Sequence, residues 1–576
     1  MSGLPPEGDE PSHYECFETL SINTMAYSQP GYSRKLDGWR QAGSLSFRML
    51  SLAIVSEVRF ATMERMEILP SKRWWFVPLA TVFFLLIAEM VLFLCLKNPV
   101  ALDDGLRHFA MGRLIVLQGI DAGQWSHFLF AGYFSTHRTD PWFLGDLLFV
   151  PLVRFGPVLA LRIFALGSSA LLLGVFLWAC RLFRIPSVAT ALLLILLVAF
   201  EENFFYRLLL GRPFVLLTVL SVLLTIAILR RQPIIVAVAL SAAVLLSHLF
   251  VFPLLIVAAG VLWRVSLREY KQASVLFFVA FVGMCVGVAL HPAAGDYLQY
   301  FMTTFLRGPF LIGLDISKEM RSGLLFDLRS LFALAVIALL HVVLFQNGYS
   351  CARYHRSGLT FLAGIVLFFA VLFLLWMRSI DFLWPFTILF LIVLLHEEPT
   401  LIQETTKRLF PASRRLRIGV FSTLTVALCG SVYIHEARAL ITTDDRRSLQ
   451  MYADALRDVS PGARILNVDW HFFPPAVAVR PDLRFATGID PSFTFLVDPQ
   501  ASSLLLELLT PTFQSAPQPQ DVRRWLRELR NTFPPADVLV LYRDRHAALV
   551  DVLSRNLRFN DISSAPAIAV FPFAIP

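Results

Sequence analysis

The sequence predicts a polytopic α-helical membrane protein, on three observations. Of its 576 residues, 56% are hydrophobic. Only 16% are charged, against roughly 25% in a soluble globular chain. Apolar runs near the ~20 residues that a helix needs to cross a bilayer recur along most of the chain. These runs are continuous rather than alternating, which argues against a membrane β-barrel. The formal charge of +8 does not point to nucleic acid. Lys and Arg cluster in short loops between apolar runs, where the positive-inside rule puts them. The six cysteines make neither a disulfide framework nor a CxxC metal pattern.

Taken in order, residues 1–43 are polar and rich in Pro, Gly and Ser, and read as a disordered segment. Ser44–Arg59 has apolar residues at helical spacing but is too short and polar to span, so it is expected to lie in the cytoplasmic interface. Lys72-Arg73-Trp74-Trp75 anchors the first span and fixes the N-terminus on the cytoplasmic side. About eleven spans follow, near 74–96, 158–180, 187–203, 212–229, 233–247, 249–264, 274–290, 328–346, 357–377, 382–396 and 418–434. The stretch 233–264 is read as two short spans around Ser247-His248, because one long helix would put the basic cluster 407–417 outside. Three divisions result: residues 1–73, a membrane domain over 74–434 with a first outer loop at 97–157, and an extracytoplasmic α/β domain over 435–576. In the last, helices are expected at 445–459, 521–532 and 547–555, and strands at 464–468, 537–542 and 567–571.

The first outer loop gathers acids in a chain that has few: Asp103, Asp104, Asp140 and Asp146, with His108 and Arg113. A carboxylate just beyond a span can take a proton from an acceptor hydroxyl or orient it. Asp103 and Asp104 together can also ligate a divalent cation, Mg2+ or Mn2+. The plainer alternative is a helix cap, since Asp-Asp-Gly before an apolar helix is a good N-terminus. His108 follows Asp104 by one turn and can share its helix face. Arg212 and Arg378 at outer helix ends are suited to clamping a phosphate, or to snorkelling at the interface. His248 stands at mid-segment, where a histidine is costly without a use. Glu201-Glu202 reads as a solvated cap. Glu89, inside the first span, reads as a packing hydrogen bonder or as half of an ion path. Asp469, His471 and Asp490 have no established ligand spacing and read as structural, Asp490-Pro491 as a turn.

These motifs, in this order, resemble the bacterial GT-C membrane glycosyltransferases, relatives of protein O-mannosyltransferases and of the aminoarabinose transferase that modifies lipid A. The resemblance lies in Asp104, His108, Gly112-Arg113 and Trp142-Phe-Leu-Gly-Asp146, then Arg212-Pro213, Ser247-His248 and His291-Pro292. It continues in Glu319, Arg378-Ser-Ile-Asp-Phe382, Asn467-Val-Asp469-Trp470 and Thr487-Gly488. One extra residue follows Trp142, and the acid-Trp pair often seen in the family is Pro141-Trp142 here, so the second acid is either Asp140 or Asp146. The resemblance implies sugar transfer from a polyprenyl-phosphate donor to an extracytoplasmic glycan, lipid or protein at a bacterial inner membrane. Asp104 is then the base or acceptor-orienting group and Asp103 its support or a metal ligand. His108, Arg113, Arg212, His248, Glu319 and Arg378 are then substrate-binding. Two other classes stay open. A flippase for lipid-linked glycans would want polar residues deep in the spans and paired halves. A non-catalytic scaffold would use Asp103 and Asp104 only as caps.

Overall fold

The computed structural model describes residues 75–120, 124–307, 358–375, 379–397, 423, 427, 430–442, 448–488, 498–507, 513, 517–533 and 536–573. The expected interfacial helix, the expected span at 328–346, most of 418–434, and the residues Glu319, Arg378 and Asp490 lie outside them.

The chain is a polytopic helical membrane protein. Helix α1 (Phe76–Cys95) exposes Phe83, Phe84 and Leu94 on one side, the surface a lipid-facing span presents. Its one acid, Glu89, is buried and accepts a hydrogen bond from Ser169 Oγ at 3.2 Å. Glu89 is thus a packing contact between helices, a usual role for a polar group at membrane depth. After α1 come α2 (Asp104–Gln118), α3 (Phe143–Phe149) and α4 (Gly156–Leu182). Then follow α5 (Ser187–Ala199), α6 (Glu202–Leu209), α7 (Phe214–Leu229) and α8 (Pro233–Leu246). Next are α9 (Val251–Ser266), α10 (Tyr270–Ala289), α11 (Ala294–Arg307), α12 (Gly358–Leu375) and α13 (Ile380–Glu397). Among the described residues five helical segments are long and apolar enough to cross a membrane, or six if the bent pair α5–α6 is one span. The helices α7, α8 and α12 are apolar but shorter.

Three helices end alike. Arg184, Arg231 and Arg268 follow α4, α7 and α9 at φ of 54°, 57° and 62°. The next residue's N–H returns to a carbonyl five back: Ile185 to Cys180, Gln232 to Ala227, and Glu269 to Arg264. This is the Schellman closure, usually built on glycine. Holding arginine there costs roughly 1–2 kcal/mol each, so the cation is kept at these ends despite the strain. The break before α9 has a local cause. Ser247 is extended (φ −165°, ψ 143°), and its Oγ accepts from Leu249 N–H at 3.2 Å, opening a 3-10 turn at His248–Phe250.

Two expectations need correction. The segment 187–203 is not one straight span: α5 and α6 meet at 79°. Glu201 caps α6, accepting from Phe204 N–H at 2.5 Å and from Asn203 Nδ2 at 3.0 Å. Glu201 and Glu202 are both buried, so the pair is not a solvated cap. Nor is 97–157 a polar loop. Most of α2 is buried, from Gly105 to Ile115, because it lies between α3 and a C-terminal helix.

Toward the C-terminus a helix over 430–442 (α14) leads to α15 (Leu449–Ala455), α16 (Phe473–Val479), α17 (Pro499–Glu507), α18 (Pro519–Thr532) and α19 (Ala547–Asp551). A sheet runs β2-β1-β3-β4, from β1 (Arg464–Asn467), β2 (Arg484–Phe485), β3 (Val538–Tyr542) and β4 (Ile568–Pro572). β1 is parallel to β2 and β3, and β4 is antiparallel to β3. The two-residue strand β2 was not expected. It also pairs outward: Phe485 N–H donates to Phe128 O at 2.7 Å, and Phe130 N–H to Phe485 O at 3.0 Å. Arg484 Nη2 reaches the carbonyls of Ser126 and Leu129. The segment 97–157 is therefore stitched to the sheet edge, and α16 packs on α2.

Candidate active site

The start of α2 is where the acids Asp103 and Asp104 meet the bundle. Asp103 is its N-cap, accepting the N–H of Asp104, so the cap reading of this residue is realised. A helix N-terminus already favours negative charge. Two glycines bring neighbouring backbone close. A side chain at Gly105 would meet Leu161 Cδ2 at 2.5 Å and Leu210 O at 3.0 Å. Gly211 has φ +64°, and a Cβ there would meet Leu161 O at 2.8 Å. This tight approach delivers Arg212, the next residue, to the acids. Its Nη2 donates to Asp103 Oδ2, and Nη1 lies 3.9 Å from Asp104 Oδ2. From within α2, Arg107 Nε lies 3.5 Å from Asp104 Oδ1. The guanidinium of Arg107 is stacked 4.2 Å from the centroid of Trp142. The result is a quartet of two carboxylates faced by two guanidiniums. The acids keep some access to solvent, at 23% for Asp103 and 19% for Asp104.

The other acids are buried beneath. His108 Nδ1 is hydrogen-bonded to Asp146 Oδ1 at 2.5 Å, at 2% and 0% side-chain exposure. Burial, then the charge of Arg107, push His108 well below the usual imidazole range, Arg212 adding to this and Asp104 opposing it. Asp140 Oδ1 accepts from Trp125 Nε1 and from Trp142 N–H, both at 3.0 Å. Its carbonyl accepts from His291 Nε2 at 2.8 Å, while His291 Nδ1 accepts from Ala293 N–H. His248 stands edge-on to Trp142 at 5.2 Å between centroids. Trp142 is thus gripped on several sides, and it is the plate on which Arg107 rests.

Of the residues singled out in the sequence, Asp103, Asp104 and Arg212 come together. His108, Asp140, Asp146 and His248 form the layer under them. Arg113 does not join. It lies roughly 13 Å further along the axis of α2 than Asp104, at ~1.5 Å per residue, in the field of Asp482. Glu319 and Arg378 lie outside the described residues. Asp381, three residues after Arg378 in the same motif, is buried and lies 3.8 Å from Arg207 Nε. Arg107 was missed by the sequence reading, although its place three residues after Asp104 is a helix-face signal.

A metal at Asp103 and Asp104 is not what the geometry favours, because Arg212 stands where a cation would bridge them. Among the described residues, one group of His and acids brings its ligating atoms within 4.8 Å of one another: Glu202, His435 and Glu436.

The C-terminal unit closes over this face. Burial, then Arg545, lower the pKa of His471, while Asp469, Asp103 and Asp104 oppose the shift. Asp469 itself is structural: its carboxylate takes Arg545 Nη1 at 2.7 Å and His546 Nε2 at 3.1 Å. Burial raises its pKa, but the bond from His546 and the charges of Arg545, His546 and His471 outweigh that and leave it at about 2. A carboxyl depressed in the fold adds stability above its unfolded pKa of ~3.9. That stability is lost as pH falls from about 4 toward about 2. Asp469→Asn is therefore expected to destabilise the C-terminal unit at neutral pH and to flatten its acid unfolding in that window. Thermal unfolding followed from pH 2 to 7 checks this; an unchanged acid slope contradicts it.

No protein-family model and no curated protein matches the chain. Solved structures do. The crystal structure of ArnT from Cupriavidus metallidurans in the apo state superposes with a TM-score of 0.51 at 15% identity, covering 86% of this chain and 97% of that one. The Archaeoglobus fulgidus oligosaccharyltransferase, in complex with Zn and sulfate, gives a TM-score of 0.41 at 12% identity, covering 81% of this chain and 68% of that one. The first likeness establishes the architecture: this chain has a GT-C-type fold.

Proposed function

We propose that the chain is a GT-C-type membrane glycosyltransferase. It takes a sugar from a polyprenyl-phosphate donor in the outer leaflet and transfers it to an extracytoplasmic glycan, lipid or protein. The observation that carries this reading is the quartet of Asp103, Asp104, Arg107 and Arg212 at the start of α2 in a GT-C-type fold. Asp104 is the acceptor's base or orienting group, a role worth about 10²–10⁴ in rate. Asp103 holds Arg212 until a donor phosphate competes for it; a guanidinium fork suits that exchange. Arg378 and Glu319, which lie outside the described residues, are assigned to donor binding on the motif resemblance alone, Arg378 as the second phosphate contact. Asp140, Asp146, His108 and His248 act through Trp142 and Arg107 as positioning residues.

The sidedness follows from the basic loops. Taking Arg184, Arg231 and Arg268 as cytoplasmic helix ends is consistent with about eleven spans, a cytoplasmic N-terminus over 1–73, a membrane domain over 74–434 and an outer domain over 435–576; the bacterial inner membrane is implied by the family resemblance. A flippase reading leaned on Glu89 as part of an ion path. Its bond to Ser169 accounts for that acid without one. The test uses membranes from expressing cells and a panel of radiolabelled polyprenyl-phosphate sugars. Label moving from lipid into an acceptor fraction, above membranes lacking the protein, is the expected result. No transfer from any donor would contradict the reading.

A further inference from the structure

We propose that Glu202, His435 and Glu436 form a binding site for a divalent transition-metal ion of the zinc class, which fastens the start of α6 to α14. The ligating atoms of all three lie within 4.8 Å of one another. His435 Nε2 stands 3.9 Å from Glu202 Oε1, beyond a hydrogen bond. Two ligands held at ~2.0–2.2 Å from a tetrahedral ion lie roughly 3.4 Å apart, so a small inward movement closes the site. Glu202 and Glu436 are buried, at 9% and 3% exposure. His435 is 55% exposed, which leaves a path for the ion to enter.

The donor set selects the ion. Mg2+ and Ca2+ prefer oxygen ligands throughout, whereas imidazole with carboxylate suits Zn2+ and its neighbours. Three protein ligands leave a fourth position for water or an anionic oxygen. The ion would tie the bend between α5 and α6 to the helix that leads into the C-terminal unit. The inference does not depend on the transferase reading, since metal content can be measured without activity.

The test uses the full chain purified in detergent, stripped with a chelator, incubated with Zn2+ and desalted. Metal per protein is then measured by elemental analysis, and thermal unfolding is followed with and without Zn2+. Wild type is expected to retain one Zn2+ per chain and to unfold at higher temperature with it. Glu436→Gln is expected to retain at least tenfold less and to lose the shift. His435→Ala changes an exposed side chain, so it should stay folded if the buried Glu436 variant does not, and the same loss is expected of it. Wild type retaining less than a tenth of an equivalent would overturn the proposal. So would a folded His435→Ala protein that keeps the wild-type equivalent and shift.

Discussion

Asp104→Asn is expected to lower sugar transfer by a hundredfold or more while leaving the protein folded. The substitution keeps the size and hydrogen-bonding reach of the side chain but removes the charge and the basic oxygen. General acid–base catalysis is worth about 10²–10⁴, and the loss should fall in that range. The stability cost should be small, because Asp104 is 19% exposed and its contacts to Arg107 and Arg212 are 3.5 and 3.9 Å. Partly exposed pairs of that length contribute about 0–1 kcal/mol. Asp103 provides the contrast. It caps α2 and carries the shorter contact to Arg212, so Asp103→Asn should lose both stability and activity. Activity assays beside thermal unfolding separate the two. Transfer that survives Asp104→Asn would remove this residue from the chemistry.

His108→Leu is expected to destabilise the bundle by about 3 kcal/mol, since it leaves the fully buried Asp146 carboxyl without its imidazole partner. Replacing both partners by apolar groups is far less costly than orphaning one. The double variant His108→Leu/Asp146→Leu should therefore recover most of the lost stability, measured as thermal or denaturant unfolding in detergent. A double variant no more stable than His108→Leu would show that the pair is not what holds α2 to α3. Activity should fall with the single variant too, because Trp142 and Arg107 rest on this layer.

How far the sequence could be read depended on whether the cause was local. The break at Ser247 is the exception, legible only through the sidedness that the distant basic cluster 407–417 requires. The strands at 464–467 and 538–542 were legible because each is a short apolar run of its own. Asp103 was legible as a cap because capping is decided within one turn. The bend at Glu201-Glu202 was not, since an apolar run followed by acids reads as a span with a wet end. His435 and Glu436, whose polar atoms approach Glu202, lie far along the chain. The segment 97–157 read as a polar loop because its buried face is completed by α16 and β2, which lie hundreds of positions away. β2 is two residues long and has no period to detect. Arg107 sat inside the motif and was passed over. Its role comes from the face of Trp142, which only the fold brings to 4.2 Å.

The central claim is that this protein moves a sugar off a lipid phosphate rather than moving the lipid. The most direct measurement is made on purified wild-type protein in proteoliposomes containing a radiolabelled polyprenyl-phosphate sugar, with acceptor supplied in the medium. Label released from the lipid and counter leaflet exposure of intact lipid are followed in the same vesicles. The account predicts label transferred to acceptor, with intact lipid crossing no faster than in protein-free vesicles. Faster crossing of intact lipid with no label transferred would contradict it.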